Sequence, residues 1–240
     1  MNLKEILQEA EKLQDKINKT RPITGRNLEK IKDYWRIGLT YSSNALEGNT
    51  LTQSETKVIL EDGITVGGKP LRDILECIGH SNAMKFLYEM KDLGDETLIL
   101  EFHRLFFTGI DPTQAGQYRK TNVIITGTDY KPPPFEKIPA LISKTLKALK
   151  ETHPILAASE RHAAVANIHP FIDGNGRTAR LIMNFSLLKQ GYPVISIPPI
   201  LRAPYIAACA EGNKGNLEPF YTLMATQTVE AQRDYLRLLA

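Results

Sequence analysis

The sequence predicts a mainly α-helical protein with one short β-hairpin flap and N-terminal helices packed onto a single domain. Three observations predict it. Apolar residues recur at three- and four-residue spacing through most segments. Gly or Pro punctuates between those segments. Only one stretch, "TNVIITGTDYKPPP" from Thr121 to Pro134, breaks the helical pattern with β-branched residues, a Gly-containing turn and three prolines.

Taken in order, Leu3, Ile6, Leu7 and Leu13 begin a helix that ends near the "TRPITGR" break. Leu28, Ile31, Trp35, Leu39 and Leu46 form the apolar stripe of a second, from about Asn27 to Leu46. "GNTLTQSE" interrupts it, and Thr52 with Glu55 reads as a capping box for a third. The turn-rich "EDGITVGGKP" precedes a long helix from about Leu71 to Met90. Glu96 to Phe107 is another, closed by "TGIDP". Then come the extended flap and helices over Glu136–Glu151, Pro154–Ile168, Asn175–Gln190, Ala203–Ala210 and Leu217 to the last residue. No internal repeat or linker appears, so residues 1–50 are expected to supply N-terminal helices to one compact domain over 51–240.

Composition bounds the function. The chain has 240 residues, enough to bury a sizeable core. Its net charge of +3 is too small, and its basic residues too scattered, to argue for nucleic acid or a membrane surface. Cys77 and Cys209 sit singly in apolar text, which argues for a reducing compartment and against a disulfide framework or zinc knuckle. The opening "MNLKEILQEAEKLQDK" is an amphipathic helix and not a signal peptide, and no apolar run reaches spanning length. A cytoplasmic protein is expected. Homo-oligomerisation is left open.

The chemistry concentrates in "HPFIDGNGRTAR", His169 to Arg180. Pro170 lacks a donor and restricts the residue before it, so one helix should stop near Ile168 and another start near Gly174. The backbone N–H groups of Gly174, Asn175 and Gly176 then stand at a helix N-terminus. That is an anion site, with glycines permitting close approach. Arg177 and Arg180, three residues apart, share a face and can each grip phosphate oxygens in a bidentate fork. Asp173 can hold a magnesium ion bridging phosphates, and His169 can take a proton near neutral pH. A Walker A loop is excluded, because no Lys-Ser/Thr pair follows the glycines and no strand leads in. Base, metal and phosphate cradle together indicate nucleotidyl or phosphoryl transfer. His103 and His162 read as helix-packing histidines, His153 as a turn residue, and Pro132–Pro134 as a stiff exit from the flap.

The same stretch resembles the signature of the Fic family, His-x-Phe-x-Asp/Glu-Gly-Asn-Gly-Arg-x-x-Arg, at every defined position. The resemblance runs over roughly residues 40 to 225, taking in "EFHRLFFTGIDPTQAGQYR", "TNVIITG" and "GYPVISI". It implies a helical fold, magnesium-ATP as donor, and AMP transfer to a Ser, Thr or Tyr hydroxyl of a target protein, the chain itself included, with pyrophosphate released. By that resemblance His169 is the base, Phe171 the buried anchor of the loop and Asp173 the magnesium ligand. Gly174, Asn175 and Gly176 form the anion cradle. Arg177 holds β- and γ-oxygens and Arg180 the γ-phosphate. Tyr205, Asn213 and the flap residues Ile125, Thr126, Gly127 and Thr128 fall near the nucleoside, although Tyr205 also fits a packing role.

"SNALEGN", Ser43 to Asn49, resembles the family's inhibitory motif. Ser43 and Glu47 are four apart on one helical face, and Gly48 ends the helix. A carboxylate near a helix C-terminus opposes the dipole and should seek a cation. The resemblance names Arg180, which would then be denied to the γ-phosphate, and it places the inhibitory helix N-terminal to the signature. Two other functions remain: hydrolytic removal of AMP, with Glu47 orienting water, and a nucleotide-binding regulator with little catalysis. The intact His169, Asp173 and Arg177 argue against the regulator.

Overall fold

The apolar spacing resolves into ten α-helices among the described residues of a computed structural model, which describes residues 1–90, 95–125, 128, 130–147 and 153–239. They are α1 (Leu3–Lys19), α2 (Gly25–Ala45), α3 (Gln53–Asp62), α4 (Leu71–Glu89), α5 (Asp95–Phe107), α6 (Ile138–Lys147), α7 (Pro154–Ile168), α8 (Asn175–Lys189), α9 (Arg202–Asn213) and α10 (Glu218–Leu239). Single 3-10 turns, Phe135–Lys137 and Pro199–Leu201, lead into α6 and α9.

Local sequence explains the starts. Asn2 and Glu5 cap α1 reciprocally, and Thr52 and Glu55 form the expected box on α3. A box of this kind satisfies two orphan N–H groups, which at an exposed helix end stabilises by about 1 kcal/mol. Pro154 opens α7, where its missing donor costs nothing, and His153 Nδ1 accepts from the Ile155 N–H at 3.2 Å.

Helices α7 and α8 sit at the centre. Between them they pack against α2, α4, α5, α6, α9 and α10, so the loop joining them is positioned from most sides. One apolar core runs through the molecule, from Ile6, Ala10 and Ile17 of α1 to Met224 and Tyr235 of α10. Gln232 of α10 donates to the Ala10 carbonyl at 3.0 Å, tying the last helix to the first. A smaller cluster, Leu51, Ile59, Ile74 and Cys77, lies under α3. Burial pushes the Cys77 thiol up to about 12, and both cysteines are free.

The expected hairpin over Thr121–Pro134 is not shown: the described residues of that stretch hold no strand and run as irregular chain. β-branched content fits a pleated surface but needs a partner strand to form one. Residues 126, 127 and 129 lie outside the described residues. The helix expected over Glu136–Glu151 starts at Ile138, after the 3-10 turn, and α9 is longer than expected. Among the described residues no helix is long and apolar enough to cross a membrane.

Candidate active site

The break between α7 and α8 is built by its own sequence. His169 caps α7 in the left-handed region at φ 52°, and Gly174 enters α8 at φ 79°. Asn175, buried in the first turn of α8, folds its side chain back on the loop. Its Oδ1 accepts from the Phe171 N–H at 2.8 Å and its Nδ2 donates to the Phe171 carbonyl at 2.9 Å. Phe171 is fully buried and stacks on His103, with ring centroids 3.7 Å apart and planes 2° from parallel. His103 in turn accepts from the Gly116 N–H at Nδ1 (3.0 Å), which leaves Nε2–H to donate to the Asp173 carbonyl (3.1 Å). Burial holds its pKa down to about 4, so it is a neutral strut.

Gly174 is the position where the backbone requires glycine. A Cβ there would lie 2.4 Å from Cε1 of the buried Phe106 ring, in a conformation L side chains rarely adopt. Gly174→Ala should therefore cost about 2–4 kcal/mol, left-handed strain and overpacking together. Denaturant unfolding at equilibrium checks this. A variant as stable as the parent would mean that the loop relaxes freely.

His169 is partly buried, and its Nδ1 faces the Ala166 carbonyl at 3.3 Å. A carbonyl only accepts, so Nδ1 carries the proton and Nε2 keeps the lone pair, the tautomer a base needs. Burial lowers its pKa, the Ala166 carbonyl opposing and Arg119 adding to the effect. Asp173, 42% exposed, accepts from the Gly174 N–H at Oδ1 (2.5 Å) and meets Arg177 (3.5 Å) and Arg72.

Arg177 is buried. It pairs with Glu76 of α4 at 2.9 Å and lies 4.2 Å from the centroid of the Phe106 ring. Glu76, also buried, further accepts from Arg72 (3.1 Å) and Asn49 (3.0 Å). Arg180 is buried too, and its fork is engaged on several sides. Nε donates to Ser43 Oγ at 2.9 Å, Nη2 to the Ser43 carbonyl at 2.8 Å and to Glu47 Oε1 at 2.7 Å, and Nη1 to the Tyr205 hydroxyl at 3.2 Å. The buried Tyr205 hydroxyl in turn donates a hydrogen bond to His162 Nε2 at 2.8 Å; burial pushes that histidine's pKa down to about 3.

The turn after α2 thus brings Ser43 and Glu47 onto the far-separated Arg180. Asn49 N–H reaches back to the Asn44 carbonyl, and Gly48 takes φ 95° to close the turn. The Glu47 carboxylate also lies over the first turn of α8: a Cβ on Gly176 would sit 2.3 Å from its Oε1. Burial acts to raise the Glu47 pKa, but Arg180 and then Arg177 outweigh it and hold the carboxyl below its usual range. It is a charged anion at a helix N-terminus.

His169, Asp173, Gly174, Asn175, Gly176, Arg177, Arg180, Ser43 and Glu47 are therefore gathered at one place. Tyr205 joins them through Arg180. Asn213 ends α9, its Oδ1 buried with no hydrogen-bond partner among the described residues. Ile125 and Thr128 lie on the extended stretch, while Thr126 and Gly127 are outside the described residues. Sequence reasoning missed Glu76 and Arg119 and gave His103 a packing role alone. Arg119 is fully buried, and its Nε holds the His169 carbonyl at 2.8 Å.

Residues 94–187 match the Fic/DOC family. Over 204 residues, 82% of this chain, the sequence is 34% identical to "Protein adenylyltransferase Fic" of Drosophila melanogaster, covering 41% of that protein. The same identity and share of this chain hold for the Drosophila grimshawi protein of that name, of which 42% is covered. The chain thus spans about two fifths of the length of these curated relatives. Among solved structures, residues 134–508 of Fic-1 from C. elegans superpose with a TM-score of 0.88 at 29% identity, over 99% of this chain and 72% of that one. A Fic domain containing signaling protein from Bacteroides thetaiotaomicron gives a TM-score of 0.80 at 26% identity, over 99% of this chain and 96% of that one. Signature, fold and relatives agree, and residues 94–187 of this chain carry a domain of the Fic/DOC family.

Proposed function

We propose that this chain transfers AMP from magnesium-ATP to a Ser, Thr or Tyr hydroxyl of a protein, itself included, and that Glu47 holds the activity in check. One observation carries the proposal. The cradle at the start of α8 already holds an anion, the Glu47 carboxylate, on Gly176 and Arg180. Its oxygens stand where a phosphate of the nucleotide would settle, since a helix N-terminus with an arginine at its side selects such a group.

In the reaction, His169 Nε2 takes the proton of the attacking hydroxyl. That oxygen forms a bond to the α-phosphorus as the bond to the α–β bridging oxygen breaks, and pyrophosphate leaves. Arg177 and Arg180 would bear the charge gathering on the leaving phosphates, which makes them electrostatic stabilisers. Asp173 fits a magnesium ligand: its carboxylate is part-exposed at the mouth of the cradle, and among the described residues no cluster of three His, Cys, Asp or Glu surrounds it. Magnesium bound through one carboxylate, waters and phosphates is that ion's usual manner, and it neutralises phosphate charge when present. Arg72 must then leave the carboxylate. Tyr205 would act on the nucleotide through Arg180, with Asn213 and the 125–128 stretch nearer the nucleoside. The stretch 121–134 would serve as the flap that meets the target, pairing as a strand when the target is there. Residues 1–50 carry the inhibitory segment and 51–240 the catalytic unit.

The hydrolytic reverse reaction is the second reading, favoured by the 36% exposure of the Glu47 side chain, which lets water reach it.

Label from ATP marked at the α-phosphate should appear on protein, and label from the γ-phosphate should not. Transfer of the γ-label would make the chain a kinase and overturn the proposal. Asp173→Ala should stay folded, lose transfer by about tenfold or more and need more magnesium for the transfer that remains, since one ligand of a charge-neutralising ion is gone. An unchanged magnesium dependence of its rate would remove the carboxylate from the metal's coordination.

A further inference from the structure

Arg119 enters the chemistry above only through its effect on the His169 pKa, yet it is the largest fully buried side chain among the described residues. It is 2% exposed, and among the described residues its guanidinium has no carboxylate partner in a salt bridge. A buried charge left so is expensive unless polar groups replace its water. Here backbone carbonyls do so, and they come from three separate places. Nε donates to His169 at 2.8 Å, Nη1 to Thr121 at 2.8 Å and Nη2 to Pro133 at 2.6 Å, while the Arg119 backbone N–H donates to the Pro170 carbonyl at 2.9 Å.

Two of these acceptors are consecutive carbonyls of the loop that carries the base. That loop needs holding, because His169 is the non-glycine residue at positive φ among the described residues, a conformation costing about 1–2 kcal/mol. The other two acceptors, Thr121 and Pro133, are the two ends of the extended stretch. Between them Ile124 stands 89% exposed beside an open groove of about 660 Å³, lined also by Asn122, Val123, Tyr130 and Lys131. Asn122 Oδ1 accepts from the Phe135 N–H, and the Tyr130 hydroxyl donates to the Asn167 carbonyl in the last turn of α7, so the stretch is further pinned at its base. One planar fork, rigid by delocalisation, therefore fixes the distance between the base loop and the segment that offers an apolar docking face.

We propose that Arg119 is a positioning residue, coupling the flap to the base so that a hydroxyl delivered along the flap arrives at His169 within reacting distance. The proposal rests on the transferase reading above. At 2% exposure Arg119 offers almost no surface to a nucleotide or a target. Its effect comes from geometry: a general base must lie within about 2.6–3.2 Å of the proton it takes, and a misplacement of about 1 Å can cost roughly 100-fold. The phosphate cradle, from Gly174 to Arg180, is held by other side chains, Asn175, His103, Glu76 and Tyr205. Nucleotide affinity should therefore be spared.

The test uses the full chain with Glu47→Gly as reference, adding Arg119→Met or Arg119→Lys. Self-modification from α-labelled ATP at saturating nucleotide gives the transfer rate. Calorimetric titration with ATP in magnesium gives the affinity on the same samples, and trypsin cleavage after Lys120 reports how firmly the flap is held. The Met variant should keep ATP affinity within about twofold, lose transfer by about 100-fold and cut faster after Lys120. The Lys variant, which retains a charge and rotatable donors, should recover about tenfold of that loss. A merely structural arginine gives a different pattern: transfer and ATP affinity fall together, in step with the unfolded fraction. That result, or a Met variant transferring as fast as the reference, overturns the proposal. If the Glu47→Gly reference itself transfers no AMP while binding ATP, the transferase reading has failed first, and the positioning role falls with it.

Discussion

Replacing Glu47 by glycine should raise AMP transfer about ten- to hundredfold. The direction carries the information, because deleting an acid from an ordinary active site lowers its rate. In the resting chain the carboxylate takes one nitrogen of Arg180 and covers the first turn of α8. A triphosphate must compete with it for both. A hydrogen bond between charged groups contributes about 1.5–3 kcal/mol, and each 1.36 kcal/mol is tenfold in a rate or a population, hence the range. The stability cost is smaller than a stranded guanidinium would suggest. Losing one partner of a buried ion pair can cost about 3–5 kcal/mol, but Arg180 keeps Ser43 Oγ, the Ser43 carbonyl and the Tyr205 hydroxyl. Thermal unfolding without ATP should show a modest loss that saturating ATP restores. A large loss that ATP leaves in place would mean that the pair chiefly stabilises the fold.

His169→Ala, made in the Glu47→Gly chain, should lower transfer by about 10²–10⁴-fold, the usual contribution of a general base. ATP affinity should stay close to that of the reference, because the proposed phosphate cradle lies beyond the loop, from Gly174 onward. The pH profile follows from the lowered pKa. Burial disfavours the imidazolium, with Arg119 adding to it, so the base is neutral at pH 7 and is protonated only below the ordinary histidine range. The acid limb of the rate profile should fall below pH ~6.5. A His169→Ala variant that transfers at the reference rate, or an acid limb above that range, would move the base to another group.

What the sequence made legible was local. Thr52 and Glu55 cap α3, α8 begins at Asn175, and Gly48 turns the chain after α2, because each depends on neighbours within a few positions. The site's small residues and charges were legible for the same reason, since twelve consecutive positions hold most of them. Ser43 and Glu47 meeting Arg180 was legible only through a second motif. Three features were not. Arg119 is recognised by backbone carbonyls, which every residue has, so nothing in the text marks its partners. Glu76 is an acid within an apolar helix whose cation, Arg177, lies about a hundred positions on. The Asn175 side chain was readable in principle, since Asn often bonds nearby backbone, but its role as an N–H donor to an anion hid the bond back to Phe171. The hairpin is not shown, for a different cause: strand content describes a surface awaiting a partner, and residues 121–125 pair with no strand among the described residues.

The central claim is that Glu47 and the nucleotide compete for Arg180. Transfer from α-labelled ATP by the parent, by Glu47→Gly and by Glu47→Gly with Arg180→Ala tests it most directly, because residues acting through one contact are not additive. The account predicts a single variant well above the parent and a double variant that loses most of that gain. Transfer by Glu47→Gly at or below the parent's, or a double variant as fast as the single, would contradict it.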